Sequence, residues 1–161
     1  MDLYVIRHAE ALALGQAGVA DDEDRPLSDA GRSESRRLAE ALRRRDVRPA
    51  RVVTSPLARA RQTAEELLAA WPDPKPGLVV CEHLAPGGKR GRLTKFLRQL
   101  GDESLAVVGH EPDLSLYLAW LIGGKKAQVG MAKTGVAHLT FEEGLDTKGG
   151  VLDWLVTPEW Y

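Results

Sequence analysis

Arginine and histidine side chains follow short apolar runs at three places in the 161-residue sequence. Arg7 and His8 come directly after the first apolar run, and His110 follows a later run that ends in glycine. Arg59 lies shortly after a third run, where the first turn of a helix is expected. If these runs are parallel strands of one sheet, the four side chains meet beyond its carboxyl edge, where ligands bind in such folds.

Two arginines and two histidines at one site can transfer a phosphoryl group. The guanidinium group is a planar fork of donors that fits phosphate oxygens, and two of them neutralise a phosphate dianion. A neutral imidazole is nucleophilic and can accept a phosphoryl group, and its ordinary pKa of about 6.5 leaves much of it neutral at pH 7. A second, protonated imidazole stabilises charge on the transferring oxygens. These residue types predict metal-independent phosphoryl transfer through a phosphohistidine.

Short apolar strands and helices alternate over the first two-thirds of the sequence. Ser28 is a predicted N-cap for a helix through about residue 45. Ser55-Pro56 is predicted to open a second helix that Pro72 ends. A third helix carries Leu93 to Leu100, and a fourth, buried helix covers residues 114–122. Strands are predicted at residues 3–6, 51–54, 78–81, 105–108, 137–141 and 151–156.

This order of elements predicts an α/β fold. Strands that alternate with helices pair in parallel, with helices on both faces of the sheet. The two late strands are separated by a glycine-containing segment and are expected to pair as a hairpin. We therefore expect one domain, residues 1–161, with three α/β/α layers and a mostly parallel sheet of about six strands.

Several other residues allow a functional and a structural interpretation. Glu82 and His83 follow the third strand, so Glu82 is either a proton donor or an ordinary loop carboxylate, and His83 is a rim or solvent-exposed residue. His138 is expected on the outer face of a late strand, in a structural role. Cys81 lies in an apolar strand and is expected to be a buried, inert thiol.

The overall composition excludes several classes of protein. With 22 basic and 23 acidic residues, the net charge is −1, which argues against a nucleic-acid binder that relies on bulk charge. The single cysteine excludes an internal disulfide and a multi-cysteine metal site. No run is long enough to span a membrane, and the amino terminus lacks signal-peptide features, so the cytoplasm is the expected location.

Cofactor sites are not expected either. The histidines could in principle meet a metal ion, but the neighbouring arginines would repel a cation. Residues 89–92 and the pair Lys125-Lys126 are basic and near glycines, yet both lack the spacing of a nucleotide P-loop. The sequence therefore predicts no metal and no cofactor.

Arginines crowd the first helix and the segment after it. This run is interpreted either as a solvated helix face or as a docking surface for an acidic partner protein. Its members are Arg32, Arg36, Arg37, Arg43, Arg44, Arg45, Arg48 and Arg51.

Three stretches in this order resemble the histidine phosphatase superfamily, the phosphoglycerate-mutase-like group. They are Arg7-His8-Ala9-Glu10, residues 55–63, and Gly109-His110-Glu111-Pro112. The short chain and two stretches, Arg25-Pro26-Leu27-Ser28 and residues 109–114, are most similar to the SixA-type branch, the phosphohistidine phosphatases. The resemblance covers nearly the whole chain and implies a mixed sheet with an antiparallel strand near an edge. It also implies that His8 is the transiently phosphorylated nucleophile and that the phosphate pocket is completed by Arg7, Arg59 and His110.

The departures from larger mutase-like relatives bear on the substrate. Ala9 replaces the commoner glycine, neither Glu82 nor His83 aligns clearly with their acidic proton donor, and their roofing insertions have no room here. Expulsion of an alkoxide needs a strong general acid. A phosphorylated imidazole leaves more easily, because its ring is protonated near neutral pH. A phosphohistidine on a protein is therefore favoured over a small phosphate ester.

Three functions follow from these residues. The favoured one is a phosphatase of the histidine acid phosphatase type that acts on the phosphohistidine of a phosphotransfer domain in a signalling relay. The second is the same chemistry on a small phosphate ester. The third is a phosphate-binding module without turnover, which would need the arginines but not His8. Neither nucleic acid nor a membrane is expected as a partner.

Overall fold

Strands and helices alternate along the chain as the sequence predicts. The computed structural model describes residues 1–124, 127–146 and 148–161. The rejected P-loop pair, Lys125-Lys126, lies outside the described residues. Within the described residues the strands are β1 Asp2–Arg7, β2 Arg51–Thr54, β3 Gly77–Val80, β4 Ser104–Gly109, β5 Val136–Thr140 and β6 Val151–Val156. The helices there are α1 Asp29–Arg44, α2 Ala58–Ala70, α3 Arg90–Leu100 and α4 Asp113–Leu121.

The strands form one mixed sheet in the order β3-β2-β4-β1-β5-β6. β1 and β2 each pair in parallel with β4, and β3 pairs in parallel with β2. β5 runs antiparallel to β1, and β6 runs antiparallel to β5. This confirms the expected α/β architecture, the late hairpin and the antiparallel strands near one edge.

The core lies on both faces of the sheet because alternate strand residues point to opposite sides. On one face, Leu3 and Val107 pack with α3 and α4. On the other face, Ile6 and Val108 pack with α1 and α2. Helices therefore cover both faces, and the three predicted layers are present.

The segment from β1 to α1 is fixed by a cap and by a close backbone approach. Ser28 caps α1 as predicted, because its hydroxyl accepts a hydrogen bond from the Gly31 N–H at 3.1 Å. The Ser28 hydroxyl also donates to the Glu10 carboxylate at 2.9 Å. A Cβ at residue 31 would lie 2.1 Å from the Glu10 carbonyl oxygen, so glycine is needed there.

The prediction that Ser55-Pro56 opens the second helix is wrong by three residues. α2 begins at Ala58, and its N-cap residue, Leu57, has an extended backbone. Ser55 remains in the turn after β2, where its N–H donates to the Val108 carbonyl at 3.0 Å. The buried Ser55 hydroxyl accepts from the Leu57 N–H at 3.3 Å and lies 2.8 Å from Nε2 of His110, which follows β4.

Candidate active site

The carboxyl ends of three adjacent strands, β2, β4 and β1, hold the candidate site. Arg7 is in register with Gly109 on β4, and the His8 N–H donates to the Gly109 carbonyl at 3.0 Å. His110 follows β4, and its ring centroid lies 4.9 Å from that of His8. The structure thus brings together the arginine and histidine side chains that the sequence predicts at this edge.

His8 presents an unprotonated Nε2 atom to this site. Its Nδ1 lies 2.7 Å from the Ala9 carbonyl oxygen, which can only accept, so Nδ1 carries the proton of the neutral ring. Burial, followed by the nearby charges of Arg59, Arg7 and Lys133, lowers the His8 pKa to about 4, although the Ala9 hydrogen bond opposes this shift. The ring is therefore neutral at pH 7, and its unprotonated Nε2 accepts a hydrogen bond from Nε–H of Arg59.

Arg59 is the second residue of α2, and its side chain is almost completely buried. Its Nε lies 3.3 Å from Nε2 of His8. The backbone is held by Thr63, whose hydroxyl donates to the Arg59 carbonyl at 2.7 Å and accepts from the Ala9 N–H at 3.1 Å. This arrangement joins the start of α2 to the loop that follows β1. Arg61, two residues later, is exposed, as helical spacing predicts.

Arg7 brings a second guanidinium group to the same strand ends. Its Nη1 donates to the Met131 carbonyl at 2.7 Å. Its Nε is buried and has no hydrogen-bond partner within the described residues. A buried cationic donor without a partner is costly, and a phosphate oxygen would satisfy it.

His110 is 3% exposed and is held by the turn after β2. Its Nε2 lies 2.8 Å from the Ser55 hydroxyl, and its Nδ1 is buried with no partner among the residues described. Burial, followed by the charges of His8 and Arg59, lowers the His110 pKa to about 3. A bound phosphoryl dianion would oppose these effects and favour a proton on this ring.

Glu82 and His83 lie beside this cluster rather than inside it. Glu82 is exposed on a short 3₁₀ turn after β3, and within the described chain its carboxylate forms no hydrogen bond or ion pair. His83 is partly exposed and lines a small cavity together with His110. Within the described residues no contact brings Glu82 to His8, although Glu82 occupies the loop from which the sequence suggested a proton donor.

The structure adds residues that the sequence did not indicate. Asp22, from the loop before α1, contacts the Arg59 guanidinium through both its backbone oxygen and its carboxylate. Ser55 orients His110, and Thr63 fixes the position of Arg59. Ser55 and Thr63 stood in a stretch that the sequence singled out, although without a role, and no spacing rule pointed to Asp22.

Comparisons with known proteins agree with this geometry. The model of the histidine phosphatase superfamily (branch 1) matches residues 3–80. The phosphohistidine phosphatase SixA of Escherichia coli (strain K12) is 30% identical over 161 residues, which cover 98% of this chain and 94% of that protein. The chain belongs to the histidine phosphatase superfamily. An uncharacterized protein of Picosynechococcus is 36% identical over 143 residues, which cover 86% of this chain and 84% of that protein.

A solved structure supports the same family. The protein histidine phosphatase SixA complexed with tungstate matches with a TM-score of 0.85 and 29% identity, over 98% of this chain and 97% of that one. This superfamily member therefore has the expected phosphoglycerate-mutase-like fold and is a phosphatase. The alternative of a phosphate-binding module without turnover is set aside by that family membership.

Two further predictions from the sequence concern the single cysteine and membrane-spanning segments. Cys81 is buried as predicted, and burial raises the pKa of its thiol. Over the described ranges 1–124, 127–146 and 148–161, no helix has the length and apolarity needed to cross a membrane.

Proposed function

We propose that this phosphatase removes the phosphoryl group from a phosphohistidine on a protein, through a covalent phosphoryl intermediate on Nε2 of His8. The observation that carries this proposal is the state of His8: Nδ1 hydrogen-bonded to the Ala9 carbonyl and Nε2 facing the guanidinium of Arg59. The name of the Escherichia coli relative, phosphohistidine phosphatase, supports the same substrate class.

In the first step, Nε2 of His8 attacks the phosphorus atom and the bond from phosphorus to the substrate nitrogen breaks. The electron pair of that bond returns to the substrate nitrogen. If the other nitrogen of the substrate ring carries a proton, the ring leaves as a neutral imidazole and needs no further proton. The Nδ1–H of His8 donates to the Ala9 carbonyl, which stabilises the positive ring that forms when Nε2 gains the phosphoryl group.

Arg7, Arg59 and His110 bind the oxygens of the transferring group in this proposal. Arg7 Nε and His110 Nδ1 have no partner among the described residues, and they are donors available to those oxygens once His110 is protonated. Such preorganised donors act where negative charge is concentrated in the transition state.

In the second step, water attacks the phosphorus of phospho-His8. The bond from phosphorus to Nε2 breaks, and its electron pair returns to Nε2. The proton lost by the water goes to the phosphate product or to solvent. His8 is then again a neutral ring that is protonated on Nδ1, and inorganic phosphate leaves.

The acids near the site favour a phosphohistidine over an alkyl phosphate ester. Glu82 makes no contact with the cluster. Hydrogen bonding from Arg25, assisted by the neighbouring Arg59, holds the pKa of the Asp22 carboxyl below its ordinary value, so Asp22 is an anion rather than a proton donor. An alkoxide leaving group would lack a positioned acid, whereas an imidazole does not need one.

The test uses a phosphotransfer domain that carries a labelled phosphohistidine, with chelator present. Wild-type protein is expected to remove the label, and His8→Asn, which lacks the nucleophile, is expected to leave it in place. A phosphoserine peptide and 3-phosphoglycerate are the comparison substrates. Preferred hydrolysis of 3-phosphoglycerate would indicate that the substrate is a small phosphorylated metabolite rather than a protein. Label loss in His8→Asn at the wild-type rate would overturn the proposed mechanism. The proposed setting is a cytoplasmic signalling relay.

A further inference from the structure

The loop between β1 and α1 is attached to the start of α2. The Glu23 carbonyl accepts the Ala58 N–H at 2.9 Å, and the Leu27 N–H donates to the Gln62 side chain at 2.8 Å. Within the loop, Arg25 donates through Nε to the Leu12 carbonyl at 2.6 Å. These bonds place the segment that contains Asp22 against the first turn of α2.

Asp22 engages Arg59 at two points. Its backbone oxygen accepts from Nη1 of Arg59 at 2.6 Å, and its Oδ2 accepts from Nη2 at 3.0 Å. Its other carboxylate oxygen accepts from Nη1 of Arg25 at 3.0 Å. The carboxylate therefore lies between two guanidinium groups, one of which belongs to the candidate site. This contact also gives a role to Arg25, which begins the Arg-Pro-Leu-Ser stretch of the sequence.

The two contacts with Asp22 determine where the third donor of Arg59 points. Nη1 and Nη2 are both held by Asp22, and the guanidinium group is planar, so Nε is fixed in turn. That Nε faces Nε2 of His8 at 3.3 Å. Without Asp22, the side chain of Arg59 would keep its charge but lose the contacts that orient it.

We propose that Asp22 is a positioning residue of the phosphatase reaction, which orients Arg59 towards Nε2 of His8 and offsets part of the positive charge of the phosphate pocket. This inference rests on the proposed role of His8 and Arg59. Asp22 acts through Arg59 and does not itself contact the reacting atoms.

The charge of Asp22 has a consequence for the product. Arg7 and Arg59 together attract phosphate strongly, and a phosphatase must release phosphate at the end of every cycle. A carboxylate on Arg59 weakens that attraction, and within several ångströms its effect corresponds to a roughly three- to tenfold change in affinity. Asp22 thus favours turnover over product retention.

Four proteins test this role: wild type, Asp22→Asn, Asp22→Ala and the matched control Asp21→Asn. Asp21 is the preceding residue of the same loop, and in the described chain its carboxylate has no hydrogen bond or ion pair. The measurements are kcat and KM on free phosphohistidine, the affinity for inorganic phosphate and for tungstate by calorimetry, and the melting temperature. The side chain of Asp22 is 51% exposed, so all four proteins are expected to fold.

Asp22→Asn keeps an oxygen that can accept from Arg59 but loses the charge. We expect phosphate and tungstate to bind roughly three- to tenfold more tightly to it, with kcat within about threefold of wild type. Asp22→Ala keeps the backbone contact with Nη1 of Arg59 but loses the side-chain contact with Nη2, so we expect kcat to fall about tenfold without a rise in KM. Asp21→Asn is expected to match wild type in every measurement.

Two outcomes would overturn the inference. One is that both Asp22 variants behave like Asp21→Asn. The other is that kcat, oxyanion affinity and melting temperature all fall together, which would indicate a merely structural loop contact. The proposed function would fail separately, if wild-type protein did not hydrolyse phosphohistidine. In that case the affinities for phosphate and tungstate would still test the effect of the Asp22 charge.

Discussion

The hydroxyl of Ser55 lies 2.8 Å from Nε2 of His110, and both side chains are buried. This contact joins the turn after β2 to the end of β4. It also leaves Nδ1 as the His110 nitrogen available to a ligand. Ser55 therefore determines which ring nitrogen of His110 faces the proposed phosphate pocket.

Ser55→Ala tests that relationship. Loss of the hydroxyl removes two buried hydrogen bonds, to Nε2 of His110 and from the Leu57 N–H, each of which contributes about 1 kcal/mol to stability. It also frees the His110 ring to rotate, so we expect kcat to fall about tenfold while the chain remains folded. Steady-state kinetics and thermal unfolding measure the two effects. An unchanged kcat in the alanine variant would show that His110 is oriented by its packing alone.

Gly31→Ala tests the close approach between α1 and the residues after His8. An added Cβ would lie 2.1 Å from the Glu10 carbonyl oxygen, so we expect the free energy of unfolding to fall by about 3 kcal/mol. Gly91→Ala is the matched control because a Cβ there, also in a helix, meets no atom within 4 Å. Since alanine favours helices over glycine, the control is expected to be neutral or stabilising. Equal effects in chemical denaturation would contradict the assigned packing.

Glu82→Gln tests whether the exposed acid after β3 supplies a proton. Because Glu82 makes no hydrogen bond or ion pair within the described residues, we expect kcat on a phosphohistidine protein to stay within about twofold of wild type. Kinetics between pH 5 and pH 8 give the comparison. A loss on the order of a hundredfold, the range attributed to general acids, would make Glu82 the donor after all.

The two site histidines give stability a defined dependence on pH. Their pKa values in the folded protein are lowered to about 4 for His8 and about 3 for His110, below the ordinary value of 6.5. Between about pH 6.5 and pH 4 the unfolded chain therefore binds more protons than the folded chain. Above about pH 6.5 both rings are neutral in the folded and unfolded states and do not affect stability, whereas the free energy of unfolding falls as the pH drops from 6.5 through about 4 for His8 and about 3 for His110.

Thermal unfolding in phosphate-free buffer measures this loss, with His110→Gln as the comparison. The variant is expected to show a shallower fall in melting temperature between pH 6.5 and pH 4. NMR titration of the ring protons provides an independent measure. Midpoints near 6.5 for both rings would show that neither is held neutral by the fold.

The clustering of the four proposed site residues was predictable because three of them follow strand ends and the fourth lies in the first turn of a helix. In a parallel sheet the end of a strand fixes where the next residue lies, so Arg7, His8 and His110 follow from the positions of β1 and β4. Arg59 followed from its place in the first turn of a helix. These inferences need only periodicity and the direction of the strands.

Other features depend on contacts between distant segments. The position of Asp22 results from hydrogen bonds between an irregular loop and α2, which no local pattern encodes. His138 was expected on an outer face, yet its side chain is only 12% exposed and lies between Asp2 and Asp153. Its ring stacks on Tyr4 from β1, a contact that sequence alternation within β5 alone could not reveal.

The arginine run also depends on its neighbours in the fold. Arg32 and Arg36 both pair with Glu66 on α2, at 3.1 Å and 2.7 Å. Arg51 pairs with Asp102 at 2.6 Å. These three arginines therefore join elements of the fold, although the side chain of Arg36 is 64% exposed.

A rapid-quench experiment with labelled phosphohistidine substrate tests the central claim most directly. We expect a label on the wild-type chain within a single turnover, stable to alkali and labile to acid, and located in the peptide that contains His8. The His8→Asn variant should acquire none. Substrate turnover without any label on the chain, or with the label on His110 instead, would contradict the assignment of His8 as the nucleophile.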